Sequence, residues 1–326
     1  MDESTIQRAV DILRSGGLIA LPTETVYGLG ADASNELAVR RIFAVKGRPA
    51  THPLIVHLPS GDAVPTWARE VPQSARKLAA AFWPGPLTMV LKRSERASDA
   101  VTGGQDTVAL RVPSHPVAQA VLRAFGGGIA APSANRFGRV SPTTAAHVRS
   151  DLGDEVDLVL DGGPCTVGVE STIVDLSGAF PVLLRPGGVA REDVERVLGV
   201  KVSPPSASSA RAPGTLESHY APRAGLVVVP AHALAARAGA LLEQGKKVAA
   251  LAAGLVTLPE GVARFEMPSD PAERARALYA TLRDIDAQGY DVIVAALPPA
   301  EGLDLAVRDR LTRAAAFPSP SGRGNG

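Results

Sequence analysis

Residues 202–215, VSPPSASSARAPGT, show no hydrophobic period and consist mostly of proline, serine and alanine. Such a stretch has no apolar face to bury. It reads as a linker and splits the chain into two parts that must each build a core. Before it, short apolar runs recur: LIAL, PLIVHL, LTMVLKR, TVALRVP, IAAPSA, VDLVLD, STIVDL and PVLLRPG. Helical runs such as PQSARKLAAAFW and HPVAQAVLRAFG lie between them, and AREDVERVLG closes the series. Many strands with few helices between them predict a twisted mixed sheet with helices packed on it. A first helix is expected from a Ser4 cap with Gln7 three residues on, an apolar stripe of Ile6, Val10 and Leu13, and Gly16 as its end.

After the linker the pattern changes to a plain alternation. GLVVVP, KKVAALAA and YDVIVAALP read as strands; HALAARAGALLEQ, PAERARALYATLRDIDAQ and LAVRDRLTRAAA read as helices. That predicts a smaller, Rossmann-like parallel α/β domain. The expected boundaries are 1–202 for the first domain, 203–223 for the linker, 224–317 for the second domain and 318–326 for a disordered tail.

Bulk properties exclude several classes. Basic and acidic residues nearly cancel, 34 against 33, so the whole chain carries no polyanion-binding excess. The lone cysteine, Cys165, excludes a disulfide framework and a cysteine-built zinc site. The N-terminal run is amphipathic and starts acidic, unlike a secretory leader, and no apolar run spans a bilayer. A cytoplasmic protein is expected. The sequence has no GxxxxGK loop, G-x-S-x-G elbow or HExxH pair. The polar inventory suits binding and electrostatics more than covalent catalysis.

LPTETVYGLGADA, residues 21–33, places Gly28, Gly30 and Ala33 at a G-x-G-x-x-A spacing between a strand-like and a helix-like run. That spacing would suit a phosphate turn. A threonine-rich segment with a glutamate stands where the turn should begin, and Arg48 occupies the region where a ribose-binding acid belongs, about twenty positions on, so the spacing is read as coincidental.

Lys46 and Arg48 flank Gly47 at a helix end, either converging on one space or merely favouring the helix dipole. In TVALRVP, alternation puts Val108, Leu110 and Val112 on one face and Ala109 and Arg111 on the other. In PVLLRPG it groups Val182 with Leu184, opposite Leu183 and Arg185. An arginine in an apolar strand meets a structural carboxylate or faces an anion-binding cleft. Two such arginines, together with Lys46 and Arg48, favour the cleft. Ser133 and Asn135 can offer donors or form an ordinary turn. Gly162, Gly163 and Gly168 allow a tight path leading to Glu170 and Ser171, with Cys165 a bystander thiol. His52 and His57 are five apart, so a strand would turn them to opposite faces; they make no metal pair, and one of them would be a surface residue. Trp83 is assigned to packing. No metal ligands are predicted.

PTETVYGLGADA, KGRP with HPLIVH, WPGPLT, DTVALRVP, APSAN with SPT, GVESTIVDL and LLRPG occur in that order. Together they resemble the YrdC family, and the part after HYAP resembles its long two-domain form. The resemblance implies a twisted mixed sheet with a concave cleft, plus a Rossmann-like domain joined by a linker that can act as a lid. It implies synthesis of L-threonylcarbamoyladenylate and diphosphate from L-threonine, bicarbonate and ATP with Mg²⁺, the product passing to a tRNA threonylcarbamoyl transferase complex. A weak direct contact with tRNA belongs to the same expectation. The family's K-x-R and S-x-N signature falls on Lys46, Arg48, Ser133 and Asn135. Nucleotide contacts are further implied at His52, Thr107, Ser141, Arg185 and Tyr220, and threonine contacts at Thr25, His57, Arg111, the backbone of Ala131, and Ser171. On this view Lys46 and Arg48 serve catalysis by neutralising phosphate charge. The competing readings are a double-stranded RNA or tRNA-binding module without turnover, and a nicotinamide-dependent oxidoreductase suggested by the glycine spacing. A hydrogenase-maturation carbamoyl transferase is excluded by its need for cysteine pairs.

Overall fold

The computed structural model describes residues 1–215, 219–254 and 256–316. The expected tail and residues 216–218 of the linker lie outside them. The described chain packs as two units, one of Met1–Phe137 with Ser141–Thr215, the other of Gly138–Val140 with the described residues from His219 onward. The predicted linker therefore divides at Thr215, its first half belonging to the first unit.

Nine strands form one mixed sheet in the first unit: β1 Ile19–Leu21, β2 Gly28–Asp32, β3 Ile55–His57, β4 Leu87–Lys92, β5 Thr107–Arg111, β6 Ile129–Ala130, β7 Leu158–Val159, β8 Thr172–Asp175 and β9 Val182–Arg185. Their order is β7-β1-β2-β6-β3-β5-β4-β8-β9. β3 with β5 and β4 with β8 run parallel, while β1 with β2 and β4 with β5 run antiparallel. The strand-period alternation sorts the side chains. Leu29, Val56, Met89, Val108, Leu110 and Val174 enter one core with Val39, Ile42 and Phe43 of the helix Glu36–Lys46, Leu78 of Gln73–Phe82 and Val194 of Arg191–Leu198. Trp83 packs against this core and donates its indole N–H to Leu87 O at 2.7 Å.

On the other face, the helices Glu3–Arg14 and Pro116–Phe125 cover Ile19, Leu21 and Ile129. Further along it, Ile55, Val90, Ala109, Ile173 and Leu184 make a small apolar cluster that no helix completes. Ala212 of the linker does so, with Ala210 beside it. The first half of the linker is thus a cover on the sheet.

Several local expectations are corrected. The first helix is capped by Asp2, which accepts Thr5 N, and not by Ser4. Gln7 reaches forward to Asp11. Gly28 and Gly30 sit inside β2, in keeping with a glycine spacing that is coincidental and makes no phosphate turn. They are small because β6 and its continuation press on them: a Cβ at Gly30 would lie 3.0 Å from Ile129 Cγ2, and one at Gly28 3.1 Å from Ala131 Cβ. Strict alternation also misplaces Arg185. The β8–β9 register slips between Ile173 and Val174, so Val174 pairs with Leu183 while Ile173 pairs with Arg185. That bulge turns Arg185 to the face of Ile173 and Leu184, away from Leu183.

The second unit is a four-stranded parallel sheet, β10 Gly225–Val229, β11 Val248–Ala253, β12 Ala263–Met267 and β13 Val292–Ala296, in the order β10-β13-β11-β12. β12 is not among the predicted strands. Its short, half-polar run ARFEM makes an edge with Arg264 and Glu266 exposed. Leu234, Ala238 and Leu241 of the helix Leu234–Glu243 pack on Val248, Ala250 and Val294. Tyr220 has a left-handed backbone (φ 64°) and is buried in this unit, against the rings of His219 and Tyr279 and below the guanidinium of Arg310. No described helix is long and apolar enough to cross a membrane.

Candidate active site

The connection between β1 and β2 holds the first half of the site. Thr23 Oγ1 donates to Val26 O at 2.6 Å and receives Thr25 N, closing a tight polar turn. Its proton is thereby used, so at the 2.9 Å contact between the two hydroxyls Thr25 is the donor. Thr25 Oγ1 in turn accepts Arg111 Nη1 at 2.8 Å. Arg111 Nη2 donates to Glu24 Oε1 at 2.6 Å, and its Nε to Gly85 O at 3.3 Å. Of the two outcomes left open for Arg111, the carboxylate partner is therefore present, and Glu24 supplies it.

His57 pairs in register with Arg111 across β3 and β5. Burial, and then the Arg111 charge, depress its pKa to about 3, so the ring is neutral. Its Nδ1 is buried without a hydrogen-bond partner. His57 is therefore no surface residue, and His52 is only half-buried, in the turn before β3. One strand beyond Arg111, Thr88 Oγ1 and Ser171 Oγ lie 2.7 Å apart. Arg185 donates to Ser171 O from Nη2 at 2.8 Å and from Nε at 3.2 Å, and from Nη1 to Pro213 O of the linker at 2.8 Å. Ala131 N is committed to Ile55 O at 3.0 Å, which leaves its carbonyl for any backbone contact.

The second half gathers around the end of the helix Glu36–Lys46. Gly47, in the left-handed region, reverses the chain there. Lys46 is buried and donates to Ser133 O and Asn135 O, both at 2.5 Å. Burial first, then the Arg48 charge, pull its pKa well below the usual lysine range. Arg48 Nη2 donates to Pro53 O at 2.9 Å, and its guanidinium lies 5.9 Å from the Phe137 ring centre. The His52 ring stands 5.5 Å from the same ring, and burial and Arg48 lower its pKa. Ser141 Oγ donates to Glu170 Oε1 at 2.6 Å. The two halves meet where Ser133 follows Ala131 in the chain, and where Ser171 follows Glu170.

Thr107 stands apart from this set. It lies with Asp175, Ser206 and Ala210 around a recess of about 450 Å³ at the linker. Tyr220 belongs to the second unit. Cys165 is buried, its thiol pushed up to about 12 by burial, an inert state for a nucleophile. Sequence reasoning gave no role to Glu24, Thr88 or Phe137, and although it expected the linker to act as a lid, it did not single out Ala212 as the packing contact. Only Glu24 left a signal, as an acid inside an otherwise uncharged segment.

A mixed sheet with a guanidinium fixed beside a neutral histidine, next to further buried cations, defines an α/β protein with a cation-lined polar site, here with a Rossmann-like companion unit. Residues 11–187 match the Sua5, YciO and YrdC family, described as "Telomere recombination", and residues 189–316 match the "Threonylcarbamoyl-AMP synthase, C-terminal domain". The chain belongs to the Sua5/YrdC family, in its two-domain form. It is 43% identical to the threonylcarbamoyl-AMP synthase of Pyrococcus abyssi over 97% of this chain and 96% of that one. It is 38% identical to the Bacillus subtilis protein of the same name, over 96% and 94%. The crystal structure of P. abyssi Sua5 complexed with L-threonine superposes with a TM-score of 0.91 at 42% identity, covering 97% of this chain and 95% of that one.

Proposed function

We propose that this chain is an L-threonylcarbamoyladenylate synthase, a nucleotidyltransferase that forms threonylcarbamoyl-AMP and diphosphate from L-threonine, bicarbonate and ATP. The observation that carries the reading is Arg111. It is a buried guanidinium locked beside neutral His57 and Thr25, in a chain that superposes on a relative solved with L-threonine. Arg111 takes the threonine carboxylate, a bidentate match for a guanidinium. Thr25, His57, Ser171 and the carbonyl of Ala131 surround the rest of the amino acid.

The amine of threonine adds to the carbon of bicarbonate with loss of water, giving a carbamate. A carbamate oxygen then bonds to the α-phosphorus of ATP as the bond to diphosphate breaks. Neither step needs a covalent enzyme intermediate; both need alignment and charge neutralisation. Lys46, Arg48 and Arg185 supply the positive charge, with Ser133, Asn135, Ser141, His52 and Thr107 as polar contacts. Mg²⁺ is proposed to arrive on the ATP phosphates. Among the described residues no group of three or more His, Cys, Asp or Glu is arranged to hold an ion of its own. The product is proposed to pass to a tRNA-modifying transferase in the cytoplasm, with a weak tRNA contact at most. Diphosphate release measured with threonine, bicarbonate and ATP, each omitted in turn, tests the reading. Release must depend on all three, and equal release without threonine would overturn it.

A further inference from the structure

We infer that Glu24 is a positioning residue that presets Arg111 to read the substrate carboxylate; this rests on the functional reading above. A guanidinium has five N–H groups. Arg111 spends one from Nε on Gly85 O, one from Nη1 on Thr25 Oγ1 and one from Nη2 on Glu24 Oε1. One N–H therefore remains on each terminal nitrogen, enough for a substrate carboxylate to accept two bonds from the same guanidinium.

Glu24 is itself held on both sides. Its second oxygen accepts Ser114 N at 3.1 Å, and its backbone carbonyl accepts Val167 N at 2.7 Å. The side chains of the pair are 4% and 6% exposed. At that burial an unpaired cation is costly, so the guanidinium stays on Glu24 before substrate arrives. The carboxylate fixes the guanidinium and offsets its charge, and a substrate that misses it by one bond length gains only one contact. The selection is for an α-carboxylate at a set distance from Thr25 and Ser171.

Glutamine cannot do the same. With its amide oxygen towards Arg111, its NH₂ faces the N–H of Ser114, donor against donor; flipped, it faces the guanidinium. Either way one bond of the clamp is lost while the volume is kept. Aspartate keeps the charge but is one methylene too short to span Arg111 and Ser114 together.

The test is steady-state kinetics with each substrate varied separately, calorimetric binding of L-threonine and of ATP, and melting temperature, for the wild type, Glu24→Gln and Glu24→Asp. Glu24→Gln is expected to raise the threonine KM and Kd about 10- to 100-fold, as for loss of a charge-assisted contact. The ATP KM, and kcat at saturating threonine, should stay within about twofold. Glu24→Asp should show the same selective loss, about threefold or more. A merely structural role would lower the melting temperature and the active fraction while leaving both KM values alone, and that result would overturn the proposal. If Glu24→Gln does not bind ATP and so has not folded, Glu24→Asp decides: unchanged threonine affinity overturns, a selective loss supports. A wild type whose diphosphate release ignores threonine would sink the functional reading first, which separates the two failures.

Discussion

Arg111 ends on a carboxylate, whereas Lys46 ends on two peptide carbonyls, and the two cations are prepared for different partners. At the Arg111 end, the proposed threonine end, the charge is compensated within the protein and the geometry is fixed. A small substrate with one carboxylate needs a preset guanidinium more than a strong field. At the other end Lys46 is buried on neutral acceptors and its charge is disfavoured. In the proposed reaction the ATP polyphosphate would restore that charge by its own negative field. Arg185 adds a third arrangement, spending one donor on the linker carbonyl at Pro213, so the cover and this cation share a bond. Position matters at one end of the site and charge at the other.

The sharpest way to break this comparison is to remove one cation from each end. Arg111→Ala should weaken threonine binding at least a hundredfold, with ATP binding changed only a few-fold. It strands Glu24 as a buried anion, so stability should also fall by about 3–5 kcal/mol. Arg48→Ala should do the converse, costing about 2–4 kcal/mol of transition-state stabilisation with threonine binding retained. Calorimetric titration of each ligand reads the split. Equal losses for both ligands in both variants would show that the ends are not distinct.

The cover offers a second test. A chain ending at Val202 loses Ala210 and Ala212 and uncovers Ile55, Val90, Ala109, Ile173 and Leu184. A chain ending at Thr215 keeps the cover. The shorter form should melt lower and yield about tenfold less product per ATP consumed, because a carbamate and an adenylate are both lost to water. If both truncations couple as well as the intact chain, the cover has no catalytic part.

A smaller effect concerns protons. Lys46 has a lowered pKa in the free protein, and phosphate favours its charged form, so ATP binding should take up protons above that lowered pKa. ATP affinity should fall as pH rises through it, on the order of tenfold per unit of pKa difference. The same shift acts on stability with a definite sign. The unfolded chain holds this proton more tightly than the folded one, so Lys46 costs stability as pH falls through the window between the ordinary and the lowered lysine pKa. Calorimetry in buffers of different ionisation enthalpy counts the protons. Zero uptake at every pH would mean that Lys46 does not meet the phosphates.

Much of the site is legible in the order of residues. Alternation in TVALRVP exposes Arg111 as an arginine that has to find an anion, because a strand's period of two is a local property. The same rule fails at Arg185, since a register slip is set by the neighbouring strand and not by the residues that bulge. The glycine spacing of Gly28 and Gly30 imitates a phosphate turn because a strand pressed by β6 and such a turn both demand small residues. ARFEM carries a readable alternation, but its charges disguise an edge strand as a loop.

Periodicity and composition over neighbouring residues account for most of the elements, the break into two units and the identity of the ionisable groups. They do not account for Glu24 meeting Arg111 across 87 positions, for Lys46 being stripped of water, or for Ala212 closing the sheet. Those three features exist only once the chain has packed. Charge and solvation depend on distance through space, and nothing in the order of residues along a chain records that distance.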